Sequence, residues 1–265
     1  MRFPEPPLEG RFLRRYKRFF ADVELPDGEV VTAHCPNTGG LLGCLQEGAP
    51  AWLRDSKSET RKLRYTWQAI RVGESWVNVD TSLPNRVVAE AIEAWLIPAF
   101  RVHRELRSEV PYGDNSRIDL LVTQADGTPC YIEVKTTTLA EDGVGLFPDA
   151  VTERGRKHLG ELARLARKGI RAVQFFCISR SDVNSIQPAD RIDREYGKAL
   201  RRAIRAGVEV HAWSAIVTPE EFTLTTEIPF ELPDLPPPPR KKKRSKKTGK
   251  KKASKKTSKR IGASR

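Results

Sequence analysis

The chain is poor in sulfur, with four cysteines and one methionine in 265 residues. Cys35, Cys44, Cys130 and Cys177 are scattered and form no Cys-x-x-Cys pair. That excludes a dense disulfide framework, and free thiols in a reducing compartment are expected. His34, Cys35 and Cys44 fall short of a four-ligand zinc set. No apolar run approaches the roughly 20 residues a helix needs to cross a bilayer. The opening MRFPEPPLEG lacks the apolar stretch of a secretory signal, so cytoplasmic residence is the expectation. Glycine-rich phosphate loops of the G-x-G-x-x-G or G-x-x-x-x-G-K-[ST] kind are also missing. So are helix-turn-helix and zinc-finger signatures for reading base edges.

Acidic residues are missing from one place. Residues 240–265 hold 15 Lys+Arg and no Asp or Glu, which leaves 32 Lys+Arg against 34 Asp+Glu in residues 1–239. The formal charge of +13 therefore belongs to the tail, and the body is near neutral. With Lys241, Lys242, Lys243 and their neighbours, the tail cannot bury a core, reads as disordered, and suits nucleic-acid phosphates. A membrane partner is not expected, because no lipid anchor or amphipathic helix accompanies the charge.

The most informative stretch is SRIDLLVTQADGTPCYIEVK, Ser116 to Lys135. Ile118–Val122 and Tyr131–Lys135 are apolar runs joined by Ala125-Asp126-Gly127-Thr128-Pro129, a hairpin pattern. Asp119, Glu133 and Lys135 interrupt these runs. Glu133 and Lys135, two apart, share a face, and a hairpin brings Asp119 beside them. Singly, each charge fits a salt-bridged group on an edge strand. Together, two carboxylates can bind a hard cation such as Mg²⁺ or Mn²⁺ through oxygen. A lysine on the same face can orient water or stabilise an oxyanion. That combination suits metal-assisted phosphodiester hydrolysis.

This Asp…Glu-x-Lys arrangement resembles the PD-(D/E)xK nuclease superfamily, whose core runs α-β-β-β-α-β. More narrowly, the chain resembles the sugar fermentation stimulation protein A (SfsA) family over about residues 10–230. The resemblance is carried by Tyr16-Lys17-Arg18-Phe19, His34-Cys35-Pro36-Asn37-Thr38-Gly39, Ser116-Arg117-Ile118-Asp119 and Tyr131-Ile132-Glu133-Val134-Lys135. It continues through Phe147–Gly155 and Lys157-His158-Leu159. It implies DNA binding, an N-terminal OB-like domain and a C-terminal nuclease-like domain. It also implies that a glutamate on the first core helix reaches the metal, with Glu90 preferred and Glu93 the rival. Arg156 stands where some related nucleases carry glutamine.

The resulting expectation is an all-β, OB-like five-stranded barrel over 1–80 and a nuclease-like α/β domain over 81–231. A Pro-rich linker and Lys-rich tail follow over 232–265. In the barrel, residues 12–25 read as one long strand bent near Phe19-Phe20, followed by strands at 29–34, 52–54, 65–72 and 76–78. Arg14, Arg15, Tyr16, Lys17, Arg18 and Phe19 form a basic-aromatic cluster, and Arg61, Lys62, Arg64, Tyr65 and Trp67 form another. Each suits a single-strand binding face or a core with a solvated rim. Asn37, Gly39, Gly40 and Gly43 read as positions of positive φ or close backbone approach.

Beyond the barrel, Asn85 is the expected cap of a helix whose stripe is Val88, Ala91, Ile92, Trp95 and Leu96. Strands are expected at 101–110, 172–178 and 208–217, and helices at 152–168 and after Asp190. Residues 139–151 read as a loop beside the site. Arg154, Lys157 and His158 open the second helix as phosphate contacts, with His158 also a candidate general acid.

DNA, with RNA as an alternative, is the expected partner, and nucleoid association follows from the tail. Three functions stay open: a sequence-nonspecific DNA-binding protein, a metal-dependent phosphodiesterase, and a regulator linked to sugar metabolism. The third rests on the family name alone. Oligomeric state is not legible.

Overall fold

The structure, a computed structural model, describes residues 1–112 and 116–237. Six strands fill the first part: β1 (Leu8–Tyr16), β2 (Phe20–Glu24), β3 (Val30–His34), β4 (Pro50–Asp55), β5 (Tyr65–Val72) and β6 (Ser75–Asn78). They pair in the order β3-β2-β1-β4-β5-β6, and β3 also meets β5 at His34–Thr66. That extra pairing closes β1 to β5 into a five-stranded OB barrel and leaves β6 appended to β5. Alternation along the strands sends Phe12, Val23, Leu53 and Trp67 inward. The rings of Phe12 and Trp67 stack with centroids 4.9 Å apart.

The single long strand expected over 12–25 is instead a hairpin. The chain reverses at Lys17–Phe19, with Lys17 at φ 48° and Arg18 at φ 64°. Two non-glycine residues in the left-handed region give no turn signal in sequence, which is why the reversal reads as a bend.

The second part begins with α1 (Pro84–Glu93) and a 3₁₀ turn at Pro98–Phe100. The hairpin strands follow as β7 (His103–Tyr112), β8 (Ser116–Gln124) and β9 (Pro129–Thr137). Then come β10 (Ala140–Glu141), β11 (Val144–Phe147), α2 (Glu153–Arg167), β12 (Arg171–Ile178) and β13 (Ser185–Pro188). The last elements are α3 (Arg194–Arg205), β14 (Glu209–Val217) and β15 (Phe222–Glu227). The main sheet has the order β15-β14-β12-β9-β8-β7, with β12 parallel to both β9 and β14. Val87, Val88 and Ile92 of α1 pack on one face of this sheet. Leu159 and Leu162 of α2, with Tyr196 and Leu200 of α3, pack on the other. The expected α-β-β-β-α-β core is present as α1, β7, β8, β9, α2 and β12.

Four details differ from expectation. Residues 139–151 are not all loop: β10 and β11 join β13 in a small three-stranded sheet. Pro84 takes the first turn of α1, so Asn85 lies inside the helix and does not cap it. Trp95 and Leu96 lie beyond the helix end and are exposed, so they are not part of the buried stripe. The side chain that caps α3 is Asp193, which accepts from the Tyr196 N–H, whereas Asp190 pairs with Arg201 at 2.8 Å. Met1–Leu235 forms one compact unit. No helix among the described residues is long and apolar enough to cross a membrane.

Candidate active site

The β8–β9 ladder begins beside the Gly127 turn, where φ is +87°. It runs through Thr123–Pro129, Val122–Cys130 and Leu121–Tyr131 to Leu120–Ile132. One residue further, the Asp119 side chain takes over from the backbone: its Oδ2 accepts the Val134 N–H at 2.7 Å. Its Oδ1 accepts from Asn85 Nδ2 at 2.9 Å, tying the start of α1 to the strand. Ile132 and Val134 point to the α1 core, so the period of two sends Glu133 and Lys135 to the α2 side. There Glu133 Oε1 accepts from both Lys135 Nζ and His158 Nδ1. Gln174 on β12, level with Glu133, donates to the Glu133 main-chain carbonyl at 3.0 Å.

The charges are arranged unequally. Burial, followed by the nearby Glu133 carboxylate, pushes the Asp119 carboxyl up to about 6. Burial also opposes ionisation of Glu133, but the His158 hydrogen bond and the Lys135 charge outweigh it and hold its carboxyl below its ordinary value. The second oxygen, Glu133 Oε2, is buried and has no hydrogen-bond partner. A buried carboxylate oxygen left bare costs desolvation energy unless something cationic satisfies it. Asp119 and Glu133 therefore fit a divalent cation by donor type and by this unsatisfied oxygen. No three His, Cys, Asp or Glu side chains among the described residues converge as a ready cage, so the remaining positions would fall to water, backbone or substrate oxygens.

These groups floor a cleft of about 740 Å³ whose walls come from both parts of the chain. Arg18, Asn37, Thr38 and Gly39 line the barrel side; Thr136–Thr138, Phe147–Thr152 and Arg154 line the other. The barrel wall is held firmly. Arg15 donates to the carbonyls of Arg18, Asn37 and Gly39, at 2.6 Å for Asn37. Asp149 Oδ2 accepts the Leu41 N–H at 2.7 Å across the seam. A Cβ on Gly40 would stand 2.6 Å from the Asp149 carbonyl oxygen, so glycine is required there for close approach. Of the four positions read as suited to positive φ or close backbone approach, Gly43 has positive φ, at 76°, and Gly39 and Gly40 make the close approach, against Asp149.

The expected site residues separate into groups. Asp119, Glu133, Lys135, Arg18, Asn37 and Arg154 line the cleft. His158 is buried against Glu133, so it is no exposed phosphate contact, and Arg154 Nε donates to its Nε2 at 3.3 Å. Arg15 is occupied by backbone carbonyls, which removes it as a free phosphate ligand. Tyr16 stacks on Phe20 and hydrogen-bonds Asp22. Lys17 and Arg117 are exposed, and Lys157 pairs with Glu161 at 3.6 Å. Arg156 turns away to Asp193.

Glu90 does not join Asp119. It pairs with the Met1 ammonium at 3.1 Å and with Arg86 at 2.9 Å. Asn85 already faces Asp119, and five residues further along a helix is roughly 140° around its axis, which carries Glu90 to another side. Glu93 at the end of α1 is exposed. Lys241, Lys242 and Lys243 lie outside the described residues. Asn85, Asp149 and Gln174 were missed as site residues: their roles depend on distant partners that no local pattern reveals.

An OB barrel followed by an α/β domain with an Asp…Glu-x-Lys cleft defines the class: a barrel joined to an α/β domain that carries a carboxylate–lysine cleft. Residues 13–79 match the SfsA N-terminal OB domain, and residues 82–221 match the sugar fermentation stimulation protein RE domain. The chain belongs to the sugar fermentation stimulation protein family. A homolog from Marinomonas sp. is 46% identical over 237 residues, covering 89% of this chain and 92% of the relative. One from Geobacter sulfurreducens is 49% identical over 229 residues, covering 86% and 98%. Among solved structures, Pyrococcus furiosus SfsA, in complex with Ca²⁺, superposes with a TM-score of 0.80 at 27% identity, covering 87% of this chain and 98% of that one.

Proposed function

We propose that this protein is a sequence-nonspecific nucleic-acid-binding phosphodiesterase that depends on Mg²⁺ or Mn²⁺. The observation that carries the reading is the bare, buried Oε2 of Glu133 at the floor of a cleft that also holds Asp119 and Lys135. Asp119 and Glu133 would hold the cation, which when bound supplies positive charge for the developing negative charge on phosphate and lowers the pKa of water.

The chain's own groups do the rest. Lys135 presents an ammonium, tethered by Glu133, that orients water or a phosphate oxygen and stabilises charge as the bond breaks. His158 fixes the Glu133 carboxylate in one orientation. Arg154 and Arg18, on opposite walls, offer guanidinium groups to the backbone phosphates. The Lys-rich tail adds unselective attraction to DNA and would keep the protein near the nucleoid of a prokaryotic cytoplasm.

A second reading is DNA binding without cleavage, in the service of regulation. The observation on its side is that two carboxylates, and no larger donor cluster, meet among the described residues. The deciding experiment is cleavage of labelled DNA and RNA substrates at low salt with Mg²⁺ or Mn²⁺, with wild type and Lys135→Met run beside an EDTA control. Metal-dependent cleavage by wild type alone supports the phosphodiesterase. Retained binding with no cleavage of any substrate supports the second reading.

A further inference from the structure

The reactive groups are set deep. Glu133 is 1% exposed and the Lys135 side chain 17%, at the bottom of a cleft of about 740 Å³. That volume lies within the range of about 300–1,000 Å³ typical of small-ligand pockets. The wall above it is no loose flap. Arg15 binds three of its carbonyls, and the Leu41–Asp149 bond with the close packing of Gly39 and Gly40 pins it to the α/β side. A duplex presents its phosphates on a stiff cylinder with a persistence length of about 50 nm, so bringing one of them to groups this deep requires deforming or unpairing it. A single strand can splay its backbone and bases to enter.

The barrel supplies a matching approach. The β1–β2 turn brings Arg18 to the cleft, and its neighbour Phe19 is 48% exposed at the same tip. An exposed aromatic beside a cation is the pairing on which unpaired bases stack while their phosphates are held. OB barrels use this loop and the adjacent strands for that purpose.

We propose that the cleft takes single-stranded nucleic acid, threaded past Phe19 and Arg18 between the barrel wall and β9. This rests on the phosphodiesterase reading and adds the form of its substrate: cleavage acts on unpaired strands, gaps or overhangs, and paired regions are spared.

The test uses the full-length protein in two arms. In the first, a circular single strand and a covalently closed duplex circle of the same sequence are incubated with Mn²⁺. The expected result is cutting of the single strand at least about 100-fold faster, since entering from a closed duplex requires unpairing. Comparable rates on both circles would overturn the proposal.

In the second arm, affinities for a single-stranded and a duplex oligonucleotide are measured in EDTA for wild type, Phe19→Ala and Thr38→Trp. Both substituted residues are exposed and stand outside the catalytic trio. Phe19→Ala is expected to weaken single-strand binding about tenfold, roughly the worth of one lost stacking contact, and Thr38→Trp to weaken it by a similar factor by filling the cleft that Thr38 lines; both should leave the tail-driven duplex affinity within about twofold. Equal losses on both ligands, or no loss on either, would overturn the proposal. Absence of cleavage on every substrate would defeat the phosphodiesterase reading alone, and the binding arm would still decide strandedness.

Discussion

His158 meets Glu133 through Nδ1, inside the protein and on the same carboxylate oxygen that Lys135 uses. Arg154 donates to the other ring nitrogen, so Nε2 is the acceptor and the Nδ1 proton faces Glu133. The imidazole thus acts as a fixed donor behind the carboxylate and leaves Oε2 as the free oxygen. Supporting groups of this kind commonly tune a site by one to two orders of magnitude.

His158→Ala is therefore expected to lower the cleavage rate by about 10- to 100-fold with a smaller change in KM. It should also cost about 1–3 kcal/mol of stability, because a buried acceptor loses its donor. His158→Asn, whose amide nitrogen can replace Nδ1–H, should recover much of both. Steady-state kinetics and urea unfolding on the pair check this. Failure of the asparagine to rescue either quantity would count against the positioning role.

Asp119 gives a pH signature. Burial and Glu133 raise its folded value to about 6, against about 3.9 in an unfolded chain. The folded protein binds this proton more tightly, so the associated stability is present below about pH 4 and is lost as pH rises through about 6. In metal-free protein, Asp119→Asn should remove that part of the pH dependence and add about 1–3 kcal/mol at pH 7 relative to wild type. Unfolding curves from pH 4 to 8 test this. Parallel curves for the two proteins would contradict the assigned shift.

The seam between the barrel and the α/β domain should be sensitive to a single carbon. Gly40→Ala places a Cβ where the Asp149 carbonyl already stands, and is expected to cost about 1–3 kcal/mol. Asp149→Ala leaves the Leu41 N–H without its acceptor, at a cost of similar size. Because the two act at one contact, their effects should fall short of additive in the double variant. Chemical denaturation of the four proteins measures this, and full additivity would argue against a shared seam.

Glu90 provides the contrast. Its partners are the Met1 ammonium and Arg86, and it stands roughly 140° around α1 from Asn85, the residue that faces Asp119. Glu90→Gln is expected to change stability by about 1 kcal/mol or less and to leave cleavage within about twofold. A loss comparable to that of Glu133→Gln would return Glu90 to the site.

Much of this architecture was legible because it is local. The β8–β9 hairpin is announced by two apolar runs around Asp126-Gly127, and the helix expected at 152–168 is present as α2, Glu153–Arg167, with Thr152 as its cap. The barrel strands follow the same logic. Failures came where tertiary structure overrides local signals. The β1–β2 reversal uses Lys17 and Arg18 where a turn reads as glycine or asparagine. β10, β11 and β13 are too short to show a period and exist through pairing with one another. In the site, Asp119, Glu133 and Lys135 stand out as charges within apolar runs. Asn85 and Asp149 do not, since nothing in a polar loop or a helix start marks a partner 34 or 108 residues away. Glu90 was placed by resemblance, and the geometry of α1 takes it elsewhere.

The central claim is that Asp119 and Glu133 form one cation site. Calorimetric titration of Mn²⁺ into metal-free wild type, Glu133→Gln and Glu90→Gln at pH 7.5 (about 1.5 units above the Asp119 value, where that carboxyl is ionised) tests it directly. One saturable site in wild type and Glu90→Gln, lost in Glu133→Gln, is the predicted result. Equal binding by all three proteins, or none by wild type, would contradict the account.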